Sequence, residues 1–151
     1  MVNEQIKMTG ALDIVVRGED GQIKQQTHVP NIVTTVGKNF IASRMIGTSN
    51  TAMGYMAIGD TSVAAAVSDT ALGHELARVS LDNLGGTINA GANNVVVYTG
   101  SFPAGTGTGA VTEAGIFNAS SNGIMLCRTV FSVVNKAAGD SVAITWSVTV
   151  N

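Results

Sequence analysis

Residues 112–151 read TEAGIFNASSNGIMLCRTVFSVVNKAAGDSVAITWSVTVN, and this stretch decides the fold class. From Val142 onward, Val142, Ile144, Trp146, Val148 and Val150 hold one parity and Ala143, Thr145, Ser147 and Thr149 the other. That alternation specifies a strand half-buried against a core, because successive side chains of a strand point to opposite faces. Upstream, Met125, Cys127, Phe131 and Val133 fall on one parity and Ile124, Leu126, Val130 and Val134 on the other. A strand apolar on both faces belongs inside a sheet rather than at its edge. Residues 135–140, NKAAGD, carry turn chemistry and predict an antiparallel hairpin between these two strands. A further strand over 113–118, ended by the turn-rich Asn118 to Gly123, completes an expected three-strand meander.

Outward from this meander the chain reads as more strands and one helix. Ile6, Met8, Leu12, Ile14 and Val16 share a parity, with Gly10 read as a bulge or bend. Gly18-Glu19-Asp20-Gly21 supplies a tight turn, and the more polar 22–29 returns as the second strand of a hairpin, ended by Pro30. Its polar second strand marks residues 1–29 as a sheet edge or an arm covering a neighbour. Thr34 or Thr35 caps a helix over residues 35–46, with Val36, Phe40, Ile41 and Met45 at helical spacing and Gly47 to end it. Such a helix is expected to plug an open end of a sandwich. Strands follow at 53–58, 76–81 and 95–102, with an irregular segment over 69–75 and a flexible loop at 103–109. The Ala-rich 62–67 is open between strand and loop. The spacing predicts one all-β domain over 1–151, an antiparallel β-sandwich of jelly-roll type.

Composition narrows the function classes. The chain has 151 residues, enough for one domain with a real core. Charged residues make up only 12%, against roughly 25% in ordinary domains, while hydrophobic residues reach 45%. A surface so poor in charge suits close packing against copies of itself or a larger assembly. The net charge of −2 provides no basic footprint for nucleic acid. No apolar run approaches the roughly 20 residues that span a bilayer, and residues 1–10 lack the pattern of a secretory leader. The expectation is a chain made in a cytoplasm, without membrane contact.

Candidate chemistry is sparse. His28 and His74 are the only histidines, neither with a second His or Cys at metal-ligand spacing, so no metal site is expected. Cys127 is a single cysteine within an apolar strand and reads as a small buried hydrophobe. The run Gly105-Thr106-Gly107-Thr108-Gly109 lacks the Lys-Ser/Thr ending of a phosphate loop. No catalytic set can be named, and neither an enzyme nor a cofactor is expected. The residues that stand out are charges inside apolar stretches: Glu75, Arg78, Glu113 and Arg128. A buried charge is costly unless paired, so Glu113 or Glu75 is expected to meet Arg128 or Arg78, across strands or between subunits. Catalysis by paired carboxylates is the competing reading.

The ordered set Met56-Ala57-Ile58-Gly59, Thr70-Ala71-Leu72 with Glu75 and Arg78, Glu113-Ala114-Gly115-Ile116-Phe117-Asn118, Met125-Leu126 with Arg128 and Phe131, then Gly139-Asp140-Ser141 and Ile144-Thr145-Trp146 resembles small β-rich virion structural proteins of tailed bacteriophages. The resemblance covers roughly residues 31–150 and leaves the first hairpin outside. It implies a non-enzymatic particle component: a capsid decoration (cement) protein bridging capsomers, often a homotrimer on the major capsid protein, or a tail, baseplate or fibre piece contacting the host surface. The implied location is the virion, with the capsid surface preferred, and the first hairpin is the expected contact with neighbours. A carbohydrate-binding module is the reading from another class. It needs exposed aromatics, and with Trp146, Phe117 and Phe131 read as core only Tyr55, Tyr98 and Phe102 remain.

Overall fold

The computed structural model describes residues 4–48 and 50–151. Among the described residues it is an antiparallel β-sandwich of two five-stranded sheets with one helix. The first strand, β1 (Met8–Arg17), pairs with β2 (Ile23–Pro30) through the tight turn at Gly18 to Gly21. β3 (Ile32–Val33) leads into α1 (Thr35–Met45), followed by β4 (Tyr55–Gly59), β5 (Glu75–Ser80), β6 (Thr87–Asn89) and β7 (Ala92–Phe102). The chain ends with β8 (Gly109–Phe117), β9 (Met125–Lys136) and β10 (Ser141–Val150). One sheet runs β2-β1-β10-β7-β6 and the other β3-β9-β8-β4-β5.

The alternation in β10 has the predicted effect. Val142, Ile144, Trp146 and Val148 are buried between the sheets, and they meet Leu12, Ile14 and Val16 of the neighbouring β1. Met56 and Ile58 of β4, Ile116 of β8 and Phe131 of β9 close the core from the other sheet. β1 therefore lies inside its sheet as part of this core, and β2 forms the rim.

The expected 113–150 meander is corrected. β8 and β9 are a hairpin pair, but β10 leaves that sheet and inserts between β1 and β7 of the other. The turn over residues 137–140 is thus a crossover between layers. Its residues suit a tight reversal of either kind, and β10 takes its place between β1 and β7, with Trp146 opposite Leu12 and Tyr98. Gly10 is not a bulge either, since the β1/β10 register runs unbroken from Met8 to Arg17. A Cβ at Gly10 would collide with the side chain of Asn31, whose Oδ1 accepts a hydrogen bond from Trp146 Nε1 at 2.9 Å.

The helix begins where its sequence predicts. Thr34 is the cap: its Oγ1 accepts from Gly37 N at 3.0 Å and donates to the Met125 carbonyl of β9 at 2.6 Å. Gly37 and Phe40 are buried, whereas Met45, expected on the packed side, points to solvent. The stripe shifts because α1 rests on β9 through Gly37, where no side chain holds the backbones apart. Gly47, with φ of 68°, ends the helix.

Residues 60–74 form no strand or helix and lie over the outer face of the β3-β9-β8-β4-β5 sheet. Leu72 packs there against Ala57, Phe117 and Met125, a second and smaller apolar cluster. Register shifts in the β8/β9 pairing, at Val111/Glu113 and Ile116/Phe117, turn Leu126 and Val134 into the same core as Cys127 and Phe131, which explains why β9 is apolar on both parities.

Candidate functional site

The four charges inside apolar stretches fall into two groups on this covered sheet. Glu113 extends from β8 and Arg128 from β9, one register step apart, because Gly115 is the residue opposite Arg128 and Val130 the one opposite Glu113. Both side chains are buried. Glu113 Oε2 accepts from Arg128 Nε at 3.1 Å and Nη2 at 2.9 Å. The same carboxylate accepts from the backbone, with Gly73 N 2.9 Å from Oε2 and His74 N 2.8 Å from Oε1. Arg128 Nη1 donates to Asp69 Oδ2 at 2.7 Å and to the Ala64 carbonyl at 3.4 Å, and Nη2 also reaches the Val63 carbonyl at 3.1 Å. All five guanidinium donors are thus engaged.

This arrangement is a clamp. It binds the irregular 60–74 segment to two strands by seven hydrogen bonds, counting the two between Glu113 and Arg128 themselves. The Glu113 carboxylate accepts four hydrogen bonds, three on Oε2 and one on Oε1. Sequence reasoning singles out Glu113 and Arg128 as charges in apolar runs, but Asp69 carries no local signal. It lies 59 residues from its partner, at the start of the irregular segment expected over 69–75.

The structure brings Glu75 and Arg78 together at the second group. Arg78 Nε donates to Glu75 Oε1 at 2.7 Å, along one strand rather than across two. Its Nη1 reaches the Ala119 and Asn122 carbonyls at 2.8 and 2.9 Å, and its guanidinium stacks 3.7 Å from the centre of the Phe117 ring. This pins the β8–β9 turn to β5.

A third charged centre was not anticipated. Lys136 is buried where two crossovers between the sheets pass, and its Nζ donates to the Pro103 carbonyl at 2.9 Å and the Asp140 carbonyl at 2.7 Å. Burial lowers its pKa, opposed by the nearby Asp140 carboxylate. The Asp140 carboxylate accepts from Lys24 Nζ at 2.9 Å and from Ala137 N at 2.9 Å, and these bonds hold its pKa below the usual aspartate value. Lys136 sits within the inward-facing parity of β9, a position that reads as solvent from sequence because lysine rarely goes inside.

The histidines occupy surface pairs. His28 Nδ1 lies 2.7 Å from Asp13 Oδ1 across β1 and β2, and His74 Nδ1 contacts Asp60 Oδ1. The hydrogen bond to Asp60 raises the His74 pKa. Cys127 is buried in the core, where desolvation pushes its thiol pKa up, so it behaves as a hydrophobe. Of the aromatics left for a sugar platform, Phe102 and Tyr98 are buried, and burial raises the Tyr98 hydroxyl pKa to about 12. Tyr55 is partly buried, packed on the Ala57, Phe117 and Met125 cluster. Among the described residues, no group of three or more His, Cys, Asp or Glu is placed to hold a metal ion. No helix among them is long and apolar enough to cross a membrane.

Comparison with known proteins finds no matching family model, no matching curated protein and no matching solved structure.

Proposed function

We propose that this chain is a structural component of a tailed-bacteriophage virion, acting as a capsid decoration (cement) protein. In this reading a homotrimer sits on the capsid surface and bridges neighbouring units of the major capsid protein through buried area. The observation that carries it is the surface. Ile6, Met45, Ile46, Val63, Leu84 and Ile88 are all more than half exposed on a chain with only 12% charged residues. Large apolar side chains spread over several sites, with few charges between them, suit a protein covered by neighbours.

The ordered motifs that resemble phage virion proteins support the same reading. Met56 to Gly59 form most of β4, Glu113 to Phe117 the end of β8, and Arg128 the centre of the clamp. A loop welded down by buried ion pairs also suits a part whose task is to stay rigid under load.

The test is to mix the purified protein with particles that lack it and to locate bound density by electron microscopy. Regular density on the capsid supports the cement role. Density confined to the tail moves the function to tail or fibre architecture, and no density on complete particles overturns a virion role.

A further inference from the structure

Two cations stand apart from the rest. Lys24, Arg78 and Arg128 form ion pairs, Lys136 is held by carbonyls, Arg17 donates to the Gly21 carbonyl and Arg44 to the Asn50 carbonyl. Among the described residues only Lys7 and Lys38 have no side-chain partner, and both flank the same groove. It has a volume of about 440 Å³ and lies between the start of β1 and α1. Its floor is Met8 and Ile41, which pack on the core, and its walls are Ile6 and Met45, 77% and 86% exposed. An apolar trough with two free ammonium groups on its rim fits an apolar side chain accompanied by carboxylates.

The same chain carries that combination at the other end of β1. The β1–β2 turn presents exposed Glu19 and Asp20, neither paired with a cation among the described residues, beside Ile23, which is 50% exposed. The turn is held by Gly21 N donating to the Gly18 carbonyl at 3.0 Å, and Asp20 Oδ1 accepts from Gln22 N, so the tip is preformed. β1 has ten residues, which puts tip and groove roughly 30 Å apart, too far to meet within one molecule.

We infer that the β1–β2 tip of one copy docks in the Lys7/Lys38 groove of the next, with Ile23 between Ile6 and Met45 and with Glu19 and Asp20 facing the two lysines. The contact is head to tail, and such contacts either close into a ring or continue as a filament. The inference rests on the assembly reading and names the surfaces that make it.

The test is sedimentation of the full chain across a concentration series with charge-reversed variants. Lys7→Glu with Lys38→Glu, and separately Glu19→Lys with Asp20→Lys, are each expected to weaken self-association about tenfold or more, since each sets like charges face to face. The chain carrying all four changes is expected to regain association. Thermal melts check folding, and Ile23→Ser replaces the tip variant if that variant fails to fold. Association that survives both reversals, or that responds to the groove reversal alone, overturns the tip as the occupant while leaving an oligomer in place. A wild-type chain that stays monomeric overturns the inference, and its binding to particles then decides the virion role separately.

Discussion

Arg128 Nη2 lies 2.9 Å from Glu113 Oε2, with the two side chains 3% and 0% exposed. Losing one partner of such a pair strands the other away from water. Arg128→Met is expected to cost about 3–5 kcal/mol in urea denaturation. Combined with Glu113→Gln, the loss should fall short of the sum of the single losses by about 1–3 kcal/mol. Strictly additive losses would show that the two charges do not depend on each other.

Gly37→Ala replaces glycine in a helix interior, a change that ordinarily stabilises by about 1 kcal/mol. Here the new Cβ collides with the Leu126 carbonyl on β9, so the helix must lift from the sheet. The expected result is a net loss of about 1–3 kcal/mol. A rise in melting temperature would contradict the close seating of α1.

Asp140 is held ionised by Lys24 and the Ala137 N–H, and its pKa in the folded chain is below the unfolded value. Its contribution is therefore present above the unfolded pKa and is lost as pH falls through the folded one. The stability gap between wild type and Asp140→Asn should shrink between about pH 5 and about pH 2. A gap that stays constant through acid would remove Asp140 from the acid response.

His74 has the opposite sign. Its raised pKa means that its pairing with Asp60 stabilises fully below the unfolded pKa and fades as pH rises through the folded value. Wild type should therefore exceed His74→Gln in melting temperature by more at about pH 5.5 than at about pH 8.5. Equal differences at both would mean the pair contributes only through its neutral hydrogen bond.

Much of the fold was legible because periodicity records burial. The alternation in β10, the Asp-Gly turn between β1 and β2, and the Thr34 cap each correspond to a local physical requirement that their residues meet. What escaped was set by distance along the chain. The turn at Ala137 to Asp140 has the same chemistry whether the next strand stays in the sheet or changes layers, so the destination of β10 had no local mark. β3 and β6, of two and three residues, are too short to show a period. The clamp was half visible: charges in apolar runs pointed to Glu113 and Arg128, while Asp69 and the backbone donors Gly73 and His74 come from a segment with no pattern of its own.

The antiparallel pairing of β1 with β10 sets how the molecule answers to force. Met8 faces Val150 at one end of the ladder and Arg17 faces Ser141 at the other. Tension applied at residues 8 and 150 peels these strands apart one hydrogen bond at a time, at low force. Tension applied between the β1–β2 tip and residue 150 pulls along the strands, so the whole ladder must slide and its bonds resist together. A chain anchored through its hairpin tip is therefore mechanically hard along the direction in which the same chain, held by its two end strands, is soft.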